Sequence, residues 1–335
     1  MKVYLNASYS LLLAFAVSLL IAPLVIRFGR ALKIGQPVLK YVEIHKEKSG
    51  TPTFGGIIFL LPVGFVPFLF FTGLKSIAVF VILITVGYGI IGFTDDFIKV
   101  KFKNNQGLKV YQKLMAQIGI ALIVSFYAYK SGLIGSKINI PFSSGKVDLG
   151  WFSVVLYCVV FIATVNSVNL TDGLDGLAGG SVFSYLITFS ICIFIQSYYL
   201  YQNGSTEIYL QYSNVLIVLF ALTGGLLGFL CFNYNKASVF MGDTGSLALG
   251  GALASAGIFT QNTLLIPLIG IMFVITSLSD LIQVSYFKLT GGKRVFSMAP
   301  LHHHLQNKGL SESKIAGIYS VITFIAGVVG IMSVR

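Results

Sequence analysis

Charged side chains are scarce in this chain. Only 10% of the 335 residues are charged and 56% are hydrophobic, whereas soluble domains contain about 25% charged residues. An ordinary soluble domain is therefore excluded. The composition predicts an all-α polytopic membrane protein, and we expect residues 1–335 to form a single integral membrane domain.

Two further absences narrow the class of function. The three cysteines, Cys158, Cys192 and Cys231, lie in apolar runs without paired spacing, which favours packing roles over a disulfide or zinc framework. The chain lacks a Gly-x-x-x-x-Gly-Lys-Ser/Thr motif, which argues against an ATP-driven machine.

The net charge of +12 does not predict a nucleic-acid partner. Basic residues are divided among short loops and form no continuous patch with aromatic residues. Anionic membrane lipids explain much of this charge, and an anionic substrate suits the remainder.

Ten apolar runs approach the length of roughly 20 residues that a membrane-spanning helix needs. They cover residues 9–27, 53–72, 77–94, 113–129, 151–169, 176–199, 214–232, 244–260, 264–287 and 315–333. Most of the 23 lysines and arginines fall in loops after odd-numbered runs. The positive-inside rule therefore predicts that these loops are cytoplasmic and that both termini face outward. Residues 137–147 alternate around a Ser-Ser-Gly turn, which predicts a small external β-hairpin.

The central motif is Asn-Leu-Thr-Asp-Gly-Leu-Asp-Gly-Leu-Ala, residues 169–178, between two apolar runs. A bilayer interior strongly disfavours unpaired polar groups, so Asn169, Asp172 and Asp175 at a helix junction predict the floor of an active site. A plain turn is the alternative, since Asn, Asp and Gly are common turn residues. It explains the glycines but not both carboxylates.

Two adjacent acids, Asp95 and Asp96, end the third apolar run, where the helix dipole is also negative. A divalent cation or a cluster of lysines would relieve their repulsion. Lys99 and Lys113 follow closely. These lysines could instead serve only to set the membrane topology.

Two loops contain features that favour ligand binding, and each has a simpler alternative. Lys48 precedes Gly-Thr-Pro-Thr at a predicted helix entrance, a pattern that favours phosphate. Alternatively, Thr51 caps that helix and Pro52 occupies its first position. Asp243 precedes another predicted helix and could be a simple N-cap. Against that alternative, Phe240 and several glycines lie beside it, which would let a ligand approach the backbone.

Three successive histidines, His302, His303 and His304, occur in the last loop. Successive side chains point in different directions and cannot readily share one zinc ion. Imidazoles that face phosphates or sugar hydroxyls suit the run better. Together, the acids, lysines and histidines at one membrane face favour Mg²⁺-assisted transfer of a phosphorylated group to a membrane-resident acceptor.

Residues 48–56, 95–96, 169–178, 240–251 and 298–304 resemble the polyprenyl-phosphate N-acetylhexosamine-1-phosphate transferases. The runs Met-Ala-Pro-Leu-His-His-His and Val-Phe-Met-Gly-Asp-Thr-Gly-Ser resemble the phospho-N-acetylmuramoyl-pentapeptide branch of that superfamily. The resemblance implies a homodimeric enzyme of the bacterial plasma membrane with a cytoplasmic active site. It further implies transfer of phospho-MurNAc-pentapeptide from UDP-MurNAc-pentapeptide to undecaprenyl phosphate, which yields lipid I and UMP.

The resemblance also implies roles for individual residues. Asp243 would be the Mg²⁺ ligand and a catalytic residue, together with Asp95, Asp96, His302, His303 and His304. A uridine pocket would comprise Asp172, Gly173, Leu174, Asp175 and Asn233, with Phe240 stacked on uracil. Lys48, Lys99, Lys113 and Asn169 would lie near the diphosphate.

Two other functions remain open from the sequence. A sibling enzyme would transfer GlcNAc-1-phosphate from UDP-GlcNAc to the same lipid, and only the resemblance of the histidine run argues against it. An ion-coupled secondary transporter would place its acids near the bilayer midplane. The acids of this chain cluster instead at one predicted face.

Overall fold

A computed structural model describes residues 2–31, 50–102, 107–143, 145–234 and 236–334. Its helices are α1 (Lys2–Ala31), α2 (Gly56–Phe65), α3 (Ser76–Lys101), α4 (Val110–Lys130), α5 (Phe152–Thr171), α6 (Leu177–Gln202), α7 (Thr206–Asn233), α8 (Gly242–Phe259), α9 (Leu265–Ile269), α10 (Ile271–Leu289), α11 (Leu301–Asn307) and α12 (Glu312–Met332). Two short strands, β1 (Lys137–Asn139) and β2 (Lys146–Asp148), lie between α4 and α5.

The helices confirm a polytopic membrane protein. In the described parts of the chain, eight helices are long and apolar enough to cross a membrane: α1, α3, α4, α5, α6, α7, α10 and α12. The predicted count of ten crossings is not confirmed. The second apolar run forms only the 10-residue α2 and a 3-10 turn, Val66–Leu69. The ninth run is interrupted at Gly270, which separates α9 from α10.

Helix α8 occupies the centre of the fold although it is less apolar than its neighbours. Its glycines and alanines allow close approach of other helices, as small residues commonly do in membrane bundles. A side chain at Gly92 of α3 would collide with the main chain of Asp243, and one at Gly250 would meet Val165 of α5. This packing holds α8 between α3 and α5.

The predicted β-hairpin is present at the opposite end of α8 from Asp243. Strands β1 and β2 pair antiparallel, with Lys137 opposite Asp148 and Asn139 opposite Lys146. The Asn139 amide donates to the carbonyl of Gln261 at 2.9 Å, just beyond α8. The hairpin therefore covers the end of α8, while its external location remains a prediction.

The three cysteines are free, as the lack of paired spacing suggested. Cys192 is buried and Cys158 is partly buried, which fits their predicted packing roles. Cys231 is exposed on α7 and does not fit that role.

Candidate active site

The Asp243 carboxylate joins four helices at one end of the bundle. Its Oδ2 atom accepts hydrogen bonds from Lys99 of α3 at 3.0 Å and from Lys113 of α4 at 2.6 Å. Its Oδ1 atom accepts from the Asn169 amide of α5 at 2.8 Å. The N-cap residue of α8 is Met241, and its side chain makes no capping hydrogen bond. The simple N-cap alternative for Asp243 is therefore wrong, because its carboxylate faces cationic and amide groups of other helices.

Asp95 links the lysines to the loop before α4. Its Oδ2 atom lies 2.6 Å from the Lys99 ammonium, and its Oδ1 atom accepts from the Leu108 amide at 2.9 Å. The second contact holds the loop from which α4 begins, one turn before Lys113. Asp95 therefore contacts one lysine and helps to place the other.

Asp96 has a different environment, although it is adjacent in sequence. It is 0% exposed. Its carboxylate accepts hydrogen bonds from the main-chain amides of Asp243 and Thr244 at 3.2 and 2.9 Å. It also accepts the Thr244 hydroxyl at 2.6 Å. Amides in the first turn of a helix have no partner within that helix. Asp96 therefore caps α8 from α3 and sets the position of Asp243, while its predicted catalytic role remains a prediction.

The three acids form a set that can hold a metal ion. Asp95, Asp96 and Asp243 each offer a carboxylate oxygen, and these oxygens lie within 4.8 Å of one another. Carboxylates are suitable ligands for a hard divalent cation. The Lys99 ammonium lies within 4.0 Å of all three carboxylates. Three carboxylates against Lys99 and Lys113 leave one net negative charge, which suits a cation.

The polar junction between α5 and α6 binds the loop that precedes α8. The Asp175 carboxylate accepts a hydrogen bond from the Ala237 amide at 2.9 Å. The Asn233 side-chain oxygen accepts one from the Gly176 amide at 3.0 Å. Asn233 also donates to the Val239 carbonyl at 2.9 Å. Gly176 has a φ of 71°, so the expected turn is present. A plain turn is nevertheless an incomplete description, because the Asp175 carboxylate positions a second loop.

Asp172 follows the last residue of α5 and faces the acidic cluster. Burial raises the pKa of its carboxyl well above the usual value, and the negative charges of Asp243, Asp96 and Asp175 raise it further. A raised pKa favours the protonated form, which can donate a hydrogen bond. Asp172 is therefore suited to contact an acceptor on a ligand.

Only the first of the three histidines contacts this junction closely. His302 is 1% exposed, and a side chain at Gly173 would collide with its imidazole. Burial, followed by the nearby His303, lowers the pKa of His302 to about 3, so the ring is neutral near pH 7. Neither ring nitrogen hydrogen-bonds to any residue that the structure describes.

The other two histidines form hydrogen bonds within their own loop. His303 lies 3.2 Å from the Gln306 side-chain oxygen, and His304 accepts the Ser297 amide at 3.1 Å. The structure therefore separates the run, with His302 at the junction and the other two beside it. Their predicted catalytic or phosphate-facing roles remain predictions.

The main chain of Phe240 pairs with the segment before α2. Its amide donates to Pro52 and its carbonyl accepts from Gly55, both at 2.8 Å. The side chain of Phe240 is partly exposed. Helix α2 begins at Gly56, so the proposed cap at Thr51 with Pro52 in the first helical position is wrong. Lys48 lies outside the described residues.

Two hydroxyl residues of this site were missed by the sequence analysis. Thr244 contributes both its amide and hydroxyl to Asp96, and Ser246 accepts from Asn169 at 2.8 Å. A signal was present, since residues three apart share one face of a helix and Asp243 and Ser246 have that spacing.

Comparisons with known proteins identify the family. The family model described as Glycosyl transferase family 4 matches residues 78–261. A Thermoanaerobacter protein named phospho-N-acetylmuramoyl-pentapeptide-transferase is 44% identical over 314 residues, which cover 93% of this chain and 94% of that protein. The chain belongs to this transferase family.

Other members of the family extend the match across nearly the whole chain. Proteins with the same name from Clostridioides difficile and Listeria innocua are 40% and 38% identical. The matches cover 98% and 99% of this chain, and 97% and 98% of those proteins. The Glycosyl transferase family 4 match contains the acids, both lysines and the α5–α6 junction, while the histidine run lies beyond it.

Proposed function

We propose that this chain transfers phospho-MurNAc-pentapeptide from UDP-MurNAc-pentapeptide to undecaprenyl phosphate, which forms lipid I and UMP for peptidoglycan synthesis. The observation that supports this most directly is the convergence of three acids, two lysines and Asn169 at the ends of membrane helices. A lipid phosphate and a soluble nucleotide sugar can meet at such a position. The named relatives, matched over nearly their full length, support the same activity.

Mg²⁺ is the cofactor that we propose, with Asp243 as a ligand. Magnesium typically combines one or two protein carboxylates with substrate phosphates. It would neutralise charge on the diphosphate and polarise the transferred phosphoryl group. Lys99 and Lys113 already lie against the Asp243 carboxylate and supply positive charge at the same place.

Direct displacement by the lipid phosphate is the mechanism that we propose. An oxygen of undecaprenyl phosphate would bond to the phosphorus attached to MurNAc, while the bond from that phosphorus to the bridging oxygen breaks and UMP leaves. A phosphomonoester has a second pKa of about 6, so the nucleophile is largely ionised near pH 7. The main task of the protein is therefore to hold two anionic groups together. Asp95 would orient Lys99 instead of removing a proton.

The nucleotide would bind at the α5–α6 junction in this proposal. Asp172 and Asp175 offer hydrogen-bonding groups, while Asn233 holds the adjacent loop through Gly176 and Val239. The partly exposed Phe240 ring lies on that loop, where it can stack on uracil. His302 would contact the ligand beside Gly173.

The stacking role predicts a loss of nucleotide affinity in a Phe240→Ala variant. We expect binding of UDP-MurNAc-pentapeptide to weaken by about 1–3 kcal/mol, because a base loses its aromatic platform. Isothermal titration calorimetry measures this change. Phe240→Tyr is the matched control and should retain most of the affinity. Unchanged affinity in Phe240→Ala would remove the ring from the pocket.

We also propose that the acids face the cytoplasm and that the hairpin and both termini face outward. Positive charge beside α3 and α4 supports this orientation. The test uses right-side-out vesicles that contain a variant of the chain without its native cysteines. In this background an impermeant maleimide should label Ser143→Cys. Lys293→Cys should react only after permeabilisation. The opposite labelling pattern would contradict both the orientation and the location of the site.

One assay distinguishes the proposed activity from its nearest rival. Purified full-length chain with Mg²⁺ and undecaprenyl phosphate should release UMP from UDP-MurNAc-pentapeptide and form the corresponding lipid product. UDP-GlcNAc should support little release under the same conditions. Preferential use of UDP-GlcNAc would instead identify the sibling activity. A transporter is disfavoured because the acids cluster at one end of the helices.

A further inference from the structure

A second polar cavity lies at the opposite end of α8 from the acids. Its volume is about 300 Å³, and it is lined by the hairpin, the end of α6, the start of α7 and the residues after α8. Asp243 is in the first turn of α8, whereas Gln261 and Asn262 follow its last residue. The 18 residues of α8 span about 27 Å at the usual helical rise. The cavity is therefore separate from the candidate active site.

Amide side chains form an ordered wall of this cavity. Asn262 is 2% exposed, and it exchanges hydrogen bonds with Gln196 of α6 at 2.7 and 2.8 Å. Asn139 of the hairpin donates to the same Asn262 oxygen at 3.3 Å. Gln261 donates to the Ile134 carbonyl at 2.7 Å. These bonds join the hairpin to the ends of α6 and α8, so the polar wall is held in place without a ligand.

Lys146 gives the cavity a positive charge. It is the one charged side chain among the described lining residues. Its ammonium donates to the Gln261 side-chain oxygen at 2.6 Å, and no described carboxylate lies within 4.0 Å. Burial lowers the pKa of Lys146, and the positive charge of Lys137 lowers it further. Lys146 is an exposed residue, so an anion in the cavity can reach its ammonium.

Tyr212 contributes a phenol side chain to the lining of the cavity. It is 5% exposed and lines the cavity from α7. Its hydroxyl is not among the buried side-chain polar atoms that lack a hydrogen-bond partner. A phenol hydroxyl can both donate and accept a hydrogen bond. Tyr212 can therefore contact a ligand with hydroxyl or phosphate oxygens.

The surroundings of the cavity match the boundary between membrane and water. Tyr199 lines the cavity near the end of α6, and the neighbouring Tyr198 and Tyr201 are exposed. Tyrosines are enriched at the headgroup level of membranes. Leu200 and Ile208 add apolar surface to the lining. This combination suits a ligand with a polar head and an apolar tail.

We propose that this cavity binds the phosphoglycerol headgroup of an anionic phospholipid such as phosphatidylglycerol. Lys146 would contact the phosphate, and Tyr212 with the amide wall would contact the glycerol hydroxyls. The acyl chains would extend along the apolar surface of α6 and α7. This binding site is independent of the transfer reaction proposed above.

Native mass spectrometry of the purified full-length chain tests the site. Short-chain phosphatidylglycerol should show one saturable site of higher affinity than phosphatidylcholine. Lys146→Gln should weaken that site by about ten- to a hundredfold, the loss expected for one charge-assisted hydrogen bond. Tyr212→Phe should weaken it by about two- to tenfold, because it removes one neutral hydrogen bond. Lys137→Gln is the matched control, since this exposed hairpin lysine does not line the cavity, and it should bind as the unaltered chain does.

Several outcomes would overturn the proposal. Equal affinity in Lys146→Gln, or equal affinity of the unaltered chain for phosphatidylcholine, would show that the headgroup does not bind there. Full competition by soluble glycerol 1-phosphate would identify a soluble phosphate ligand instead of a lipid. Thermal unfolding of each lipid-free variant checks the fold, and the comparison of the two lipids does not depend on any variant.

Discussion

Replacement of Asp243 by asparagine should nearly abolish transfer while preserving the shape of the side chain. Its carboxylate is the shared partner of Lys99, Lys113 and Asn169. The substitution leaves both lysines with less countercharge and removes the proposed Mg²⁺ ligand. We expect kcat to fall by at least about 100-fold, the scale of losing one well-placed electrostatic group. UMP release at saturating substrates over a series of Mg²⁺ concentrations measures the change.

A control substitution tests whether the loss of activity in Asp243→Asn is specific to that position or follows the loss of any carboxylate. Asp148 lies on β2, is exposed and accepts from Ser136 and Gly150, far from the candidate site. Asp148→Asn should therefore retain normal kcat. Thermal unfolding should show that both variants are folded. If Mg²⁺ activates Asp243→Asn with the same concentration dependence and maximum as the unaltered chain, Asp243 is not the ligand.

Replacement of Asp95 by asparagine should lower the transfer rate at every pH. The variant keeps an oxygen that can accept from Leu108, but it loses the ion pair with Lys99 at 2.6 Å. We expect roughly a 10- to 100-fold decrease in kcat, because a supporting group of a metal and phosphate site is lost. The measurement is a pH–rate profile with saturating substrates and Mg²⁺. His302 should not shape this profile near pH 7, since its pKa is lowered to about 3.

The shape of the profile decides between positioning and proton removal. Recovery of the Asp95→Asn variant toward the normal rate in alkali would show that Asp95 serves as a general base. A parallel decrease at all pH values supports positioning. Asp96→Asn provides a comparison, because both Asp96 oxygens accept hydrogen bonds from the start of α8. That variant should lose thermal stability as well as activity.

The membrane fold and the convergence of the main candidate site residues could be predicted, because polar residues stand out in so apolar a sequence. Asp95, Asp243 and Asn169 each follow or precede a long apolar run, and the structure brings them together. The two lysines were placed correctly beside these acids. The hairpin was predictable from alternation alone, and its pairing is confirmed.

The remaining features depend on contacts between distant segments. Asp95 and Asp96 look equivalent in sequence, and only the packing of α8 on α3 assigns capping to Asp96. Thr51 and Pro52 follow a common helix-start pattern, but pairing with Phe240 holds that segment outside α2. Hydropathy also predicts one continuous helix over residues 264–287, whereas the structure interrupts the helix at Gly270.

The close contact of Gly92 with the main chain of Asp243 affects the conformational entropy that is lost when a substrate binds. A main-chain contact between two helices involves no side-chain rotamers, so the backbone of Asp243 is placed when the protein folds, and the hydrogen bond from Asn169 holds its carboxylate. Lys99 and Lys113 have the long, rotatable side chains at this site. Their ion pairs with Asp243 already order these side chains, so the acids and the lysines lose little conformational entropy when a substrate binds.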